Sequence, residues 1–218
     1  DTRHDVIGLG NAIVDVIART DEAFLASHDL AKGSMHLIDA EQAETLYGQM
    51  GPGLESSGGS AANTIAGIAS LGGKAAFVGK VADDALGRVF AHDIRALGVS
   101  YDTPPLDSGS ATARCLVLVT ADGERTMNTF LGAAQELGPD DVDDAVIAAS
   151  RMIYLEGYLW DPADAKKAFV KAAKTARAAG REVVLTLSDA FCEERYRDEF
   201  LNLIRSRTVD LVFANEHE

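Results

Sequence analysis

Ser56-Ser57-Gly58-Gly59-Ser60-Ala61-Ala62-Asn63-Thr64-Ile65-Ala66-Gly67 is the stretch from which the fold can be read. Two adjacent glycines and a run of small residues lead into Ala62, Ile65, Ala66 and Ala69, which fall on one face of a helix. Glycine adopts backbone angles that other residues avoid and lets a ligand approach the main chain. A helix starting there points unpaired N–H groups and a partial positive charge into the loop. Asn63 lies in its first turn, within reach of a polyol. The same small residues also serve tight helix–sheet packing, so the role of the loop depends on what the rest of the chain brings to it.

Upstream, Val6 to Gly10 reads as a buried strand, and Ala12 to Ile17 continues it as an apolar run broken by Asp15. A carboxylate in such a run is costly unless it is paired or used. Gly8-Leu9-Gly10 is not a dinucleotide fingerprint, because Ile13 takes the third glycine position and no helix pattern follows. Met35 to Ile38 reads as a short strand and Ala40 to Met50 as a helix ended by Gly51-Pro52-Gly53. Downstream, Ala75 to Gly79 is a strand, and Asp83 or Asp84 caps a helix carrying Leu86, Val89, Phe90, Ile94 and Leu97. Thr112 to Val119 and Arg125 to Phe130 form a hairpin around Asp122-Gly123. Pro139-Asp140 is expected to open a helix, followed by a strand at Met152 to Leu155 and a helix from Asp161-Pro162 to Gly180. Val183 to Leu187 (strand), Glu193 to Arg205 (helix) and Val209 to Phe213 (strand) complete the chain. This alternation predicts a parallel sheet with helices on both faces and a small β appendage. Ligands bind beyond the carboxyl ends of such strands, where Asp15, the glycine loop, Glu156-Gly157, Ser188-Asp189 and Asn215 to Glu218 are found.

The chain of 218 residues suffices for one substantial core. Its 34 acidic and 20 basic residues leave a net charge of −14, which argues against nucleic acid or an anionic membrane surface as partner. No apolar run approaches the roughly 20 residues needed to span a bilayer. Cys115 and Cys192 have no metal-ligand spacing and read as buried, reduced thiols of a cytoplasmic protein. The opening Asp1-Thr2-Arg3-His4-Asp5 carries no leader pattern.

Gly10-Asn11-Ala12-Ile13-Val14-Asp15, Gly58 to Asn63 and Gly79 to Gly87 occur in order, followed by Gly109 to Cys115, Asp122 to Thr126 and Asn215-Glu216-His217-Glu218. Together they resemble the ribokinase (PfkB) family of carbohydrate and nucleoside kinases, and Asn11 to Asp15 and Gly33 to Leu37 resemble its adenosine kinase branch. The resemblance covers essentially the whole chain. It implies a Rossmann-like, three-layer α/β/α domain over residues 1–218, with a small β-sheet lid from about 11–38 and 101–130. It also implies ATP and Mg²⁺ as cofactors and a small nucleoside or sugar as partner, acting as a monomer or a lid-mediated dimer. By the same resemblance Asp15 and Asn63 bind acceptor hydroxyls, with Asn11, Gly58 and Gly59 beside them. Asn215 and Glu218 help place Mg²⁺ through water, as hard oxygen donors suit. Arg125 is either a phosphate clamp or a solvated hairpin charge. Met35, Leu37, Cys115 and Leu131 could wall the pocket or pack the core, and Glu156 is either a substrate contact or a paired carboxylate.

One family signature is absent: no Gly-Ala-Gly-Asp occurs, so the catalytic Asp and the phosphate-cradling loop are not in these residues. The expectation is therefore the acceptor half of a kinase, lacking the C-terminal part of the fold and inactive alone, with an open edge or exposed face at Val209 to Phe213. The glycine stretch then holds the acceptor rather than phosphate. Adenosine 5′-phosphorylation is the leading activity. A ribose, fructose or keto-deoxy sugar acid kinase, or a non-catalytic ligand-binding module, are the alternatives.

Overall fold

The computed structural model describes residues 2–218, leaving aside the side chains of Ala190 and Phe191. The chain runs β1 (His4–Leu9), β2 (Ile13–Arg19), α1 (Glu22–Ser27), β3 (Met35–Leu37), α2 (Ala40–Gln49), β4 (Gly53–Gly58), α3 (Ser60–Ser70) and β5 (Ala75–Val78). It continues with α4 (Ala85–Ala96), β6 (Ser100–Tyr101), β7 (Ala113–Val119), β8 (Arg125–Phe130), α5 (Asp144–Ala148), β9 (Ser150–Glu156), α6 (Ala163–Ala178), β10 (Glu182–Thr186), α7 (Ala190–Arg205) and β11 (Leu211–Phe213). Two sheets result. The larger, in the order β11-β10-β9-β1-β5-β6, is parallel throughout. The smaller has the order β3-β8-β7-β2-β4.

The large sheet is the middle of three layers, because its strands are apolar on both faces. Ile7, Leu9, Ala76, Ile153, Leu155 and Leu185 pack with Ile147 of α5, Phe169 of α6 and Phe200 of α7. On the opposite face Ala75 and Phe77 meet Ile65 of α3 and Phe90 and Ile94 of α4. That second cluster runs on without a break into the small sheet. The inward residues of β2 and β7 (Val14, Val16, Leu116, Leu118) join Leu25 of α1 and Leu46 of α2. The period-two alternation of β2 leaves Ile13, Asp15 and Ile17 on its other face.

Several expectations need correction. The run through residues 6–17 is not one strand: β1 and β2 belong to different sheets, and the chain changes sheet at Gly10–Ala12. The small sheet also draws on β4, outside the expected segments 11–38 and 101–130, while Ser100–Tyr101 joins the large sheet. Strand β4 carries two serines and two glycines and has no apolar pattern; it is held by antiparallel pairing to β2. The helix expected from Pro139 is a single 3₁₀ turn, and α5 starts only at Asp144. Lys171 Nζ donates to the carbonyls of Pro139 and Val142, at 2.9 and 2.7 Å, which a continuous helix would need. Helix α1 was not anticipated, Asp84 rather than Asp83 caps α4, and α7 begins three residues early under an Asp189 cap. Strand β11 is shorter than expected. It pairs only with β10, at the sheet's edge, and Leu211 and Phe213 are 46% and 54% exposed. Among the described residues no helix is long and apolar enough to cross a membrane.

The fully buried ring of Phe169 lies edge-on to Trp160 at 4.7 Å between centroids. Phe169→Ala is therefore expected to cost about 3–5 kcal/mol in urea unfolding. Leu71→Ala, at a side chain 91% exposed, is expected to stay within about 0.5 kcal/mol of the parent.

Candidate acceptor-binding site

The two sheets meet where the chain passes between them. At one crossing, β1 ends and Gly10-Asn11-Ala12 leads into β2; at the other, Gly59 alone joins β4 to α3. Gly59 has φ 100°, in the left-handed region, and a Cβ on it would lie 2.4 Å from the carbonyl oxygen of Asn11. The two crossings are therefore in backbone contact, and no other residue type fits. Gly58 is required for a different reason: a Cβ there would lie 2.4 to 2.6 Å from the Asp15 carboxyl group. Gly8 and Gly10 admit Ile65 and Ala61 of α3 against β1, which explains a Gly-x-Gly with no dinucleotide role.

A cavity of about 330 Å³ opens at this junction, within the range of small-molecule sites. Asn11, Asp15, Gly59, Ser60 and Asn63 bring polar groups and main chain to its lining. The small sheet supplies an apolar wall of Ile13, Met35, Leu37 and Met127, continued by Leu131 just after β8, with Cys115, Thr129 and Arg125 beside it. These positions share a face because of register: Asp15 pairs with Cys115, Cys115 with Thr129, and Met127 and Thr129 with Met35 and Leu37. Met35 and Leu37, 44% and 59% exposed, turn apolar surface toward the opening. The far rim is formed by Tyr158, Asp161, Asp189, Cys192 and Arg195, which follow β9 and β10.

Burial raises the pKa of Asp15, and the positive charge of Arg125 opposes that rise; no hydrogen bond contributes. Its carboxylate is thus available to hydroxyl donors. The rim carboxylates are engaged. Asp161 Oδ1 accepts from Arg195 and Tyr196. Asp189 caps α7 through Cys192 N–H at 2.7 Å and accepts from the Tyr158 hydroxyl at 2.8 Å. Cys115 is a buried thiol pushed up to about 11 by burial, with Thr129 donating to its sulfur at 3.3 Å. It is a wall, not a nucleophile.

Of the residues singled out from sequence, eleven come together here or against it, and Gly58 is the one that supports Asp15 without lining the cavity. Glu156 does not offer itself as a substrate contact. It is 1% exposed, its Oε2 accepts Asn11 N–H at 2.7 Å and its Oε1 accepts Ala61 N–H at 3.0 Å. Asn215 and Glu218 do not line the cavity. They close on each other in a terminal turn, Asn215 Nδ2 donating to Glu218 Oε1 at 2.8 Å. That pair is self-satisfied, and among the described residues no cluster of three or more His, Cys, Asp or Glu could hold an ion. The N-terminus of α3 already faces the Glu156 carboxylate, which leaves it no phosphate-cradling role.

Sequence reading missed the rim residues Tyr158, Asp161, Cys192 and Arg195. Asp161 and Cys192 follow strand ends, a signal available in principle. The partnership of Tyr158 with Asp189 needs the turn that only the fold provides.

A family model described as pfkB family carbohydrate kinase matches residues 25–218. The chain belongs to that family. It is similar to the crystal structure of adenosine kinase from Sinorhizobium meliloti, with 60% identity, a TM-score of 0.91, and coverage of 99% of this chain and 66% of that one. It is also similar to that of a probable sugar kinase protein from Rhizobium etli CFN 42, with 57% identity, a TM-score of 0.92, and coverage of 100% and 66%. Fructokinase of Solanum tuberosum is 33% identical over 129 residues, 58% of this chain and 40% of that protein. The chain therefore spans less than two thirds of the length of these relatives.

At the crossing, Gly59→Ala is expected to lower stability by roughly 1–3 kcal/mol in thermal or urea unfolding. Gly67→Ala, in α3 with open space around its missing Cβ, should raise stability by about 0.5–1 kcal/mol.

Proposed function

We propose that these 218 residues form the acceptor half of an ATP-dependent kinase that phosphorylates the 5′-hydroxyl of adenosine or a closely similar nucleoside. The observation that carries this reading is the mixed lining of the cavity. Asp15 and Asn63 bring polar groups to it, and Met35, Leu37, Met127 and Leu131 bring apolar surface. A carboxylate without competing hydrogen bonds accepts two protons from a ribose diol, and an amide complements it. An apolar slot matches the faces of a purine better than it matches a free sugar. The carboxylates around the cavity count against a sugar acid, whose own charge they would repel.

In the whole protein, ATP with Mg²⁺ would supply the γ-phosphoryl group and neutralise its charge. The residues present here bind and orient the acceptor. Arg125, exposed at the start of β8 and close enough to act on Asp15, is suited to electrostatic help at the open mouth. The general base is assigned outside these residues, because Glu156, Asp161 and Asp189 are all engaged and Asp15 is committed to the diol. Lid and core then correspond to the small and large sheets. A cytoplasmic setting suits two free, buried thiols.

A sugar kinase is the second reading, favoured by the fructokinase and probable sugar kinase relatives. The deciding experiment is ADP release by the full-length protein with adenosine, ribose, fructose and keto-deoxygluconate. Adenosine is expected to give the highest kcat/KM, and turnover of a sugar but not adenosine would overturn the nucleoside assignment. Asp15→Asn should lower kcat/KM for the preferred acceptor by about a hundredfold or more, the scale of losing a charged hydrogen-bond partner. Full activity in that variant would remove Asp15 from the site, and binding without turnover by the full-length protein would favour a non-catalytic module.

A further inference from the structure

Among the described residues, five of the seven α-helices begin with an aspartate whose side chain caps the first turn: Asp21, Asp39, Asp84, Asp143 and Asp189. Helix α3, which opens on the cavity, begins at Gly59 and has no side-chain cap of its own. Its Ala61 N–H is satisfied instead from 95 residues away, by Glu156 Oε1. The other oxygen of the same carboxylate accepts Asn11 N–H, 145 residues away, at the opposite crossing. Gly10 has no room for a Cβ because Glu156 Oε2 and the Cβ of Ala61 lie 2.9 and 2.5 Å from where it would stand.

We propose that Glu156 is a positioning residue for the acceptor. A single buried carboxylate, bridging Asn11 N–H and Ala61 N–H, fixes the separation of the segment carrying Asn11 and Asp15 from the segment carrying Gly59 and Asn63. This inference rests on the acceptor-site reading above. No cation pairs with Glu156 among the interactions that set its charge state, so the cost of its burial is offset only by the two N–H donors. What a carboxylate does here that an apolar residue or an amide cannot is offer a separate acceptor oxygen to each of two N–H groups from different segments.

Burial pushes Glu156 up to about 7, against the two N–H donors that favour its charged form. The consequences for affinity and stability have opposite signs. On protonation one oxygen becomes a donor facing an N–H, the bridge is halved, and acceptor affinity should fall as pH drops through about 7. Folding stability behaves conversely. The folded pKa lies above the ordinary value of 4.5, so the native state holds the extra proton between the two values. The contribution of Glu156 to stability is then full below 4.5 and is lost as pH rises toward 7. The charged and titratable groups that line the same cavity are Asp15 and Arg125 on the small sheet, Tyr158 and Asp161 after β9, and Asp189, Cys192 and Arg195 around the start of α7. Tyr158 and Cys192 are raised, Cys192 to about 12, and remain neutral in this window. Asp15 is raised as well, and the Glu156→Gln variant retains its titration while removing that of Glu156.

The test uses the full-length protein, following the backbone amide resonances of Asn11 and Ala61 and the Kd for adenosine between about pH 5.5 and 8.5, a window spanning the Glu156 midpoint. In the parent chain both amides should shift together with one midpoint near 7, and the Kd should weaken below it. In a folded Glu156→Gln, checked by circular dichroism, the common midpoint should vanish. The Kd at high pH should weaken by about tenfold, as for losing one charge-assisted bond. Independent titration of the two amides in the parent chain would overturn the proposal even if the variant failed to fold. A parental Kd and pH profile in folded Glu156→Gln would also overturn it. If the parent chain bound no adenosine while the amides co-titrated, the nucleoside reading would fail and the bridge would stand.

Discussion

Two backbone crossings have to occupy almost the same place, and the rest of the molecule is arranged around that constraint. The chain leaves the large sheet at Gly10–Ala12 and returns to it through Gly59, and the two passages touch, with no space for a side chain between them. Apart from the rim that follows β9 and β10, what faces the cavity is delivered by one or other passage or by a strand in register with it. Asp15 is two residues into β2, Asn63 is in the first turn of α3, and Cys115, Thr129, Met127 and Met35 follow across the small sheet by successive pairings. The glycines that drew attention in the sequence are thus explained by close packing, and ligand access follows from that packing.

The large sheet was legible because its strands are short apolar runs separated by amphipathic helices with Asp starts and Gly stops, signals that survive without tertiary context. The small sheet was legible in its hairpin and in the short run at Met35–Leu37, and not at its β4 edge. Strand β4, Gly-Leu-Glu-Ser-Ser-Gly, has no apolar alternation, since it is an edge strand whose only neighbour is β2. The 3₁₀ turn at Pro139 was unreadable for a similar reason: the competitor for its carbonyls is a lysine 32 residues later.

The site divided in the same way. Asp15, Asn63 and the glycines stood out because each breaks a local rule: a charge in an apolar strand, paired glycines before a helix. Glu156 was visible as a strand-end carboxylate, but its role was not, because its two partners are main-chain amides, which leave no mark in a sequence. Met127 and Thr129 were hidden inside a strand whose inward side could not be assigned before its pairing with β3 was known. The relatives define the family and leave the acceptor to be argued from the cavity walls.

The bridge at Glu156 also orders events in time. It joins partners 95 and 145 residues apart, so the entropy of closing two long loops must be met before either bond contributes. A nascent chain extending only through β8 already contains Asn11, Asp15, Gly59, Asn63, Arg125 and Met127, yet lacks the carboxylate that holds their two segments together. Pocket assembly therefore cannot be complete before β9 has docked beside β1, and ligand capture during synthesis should begin only once that strand is in place.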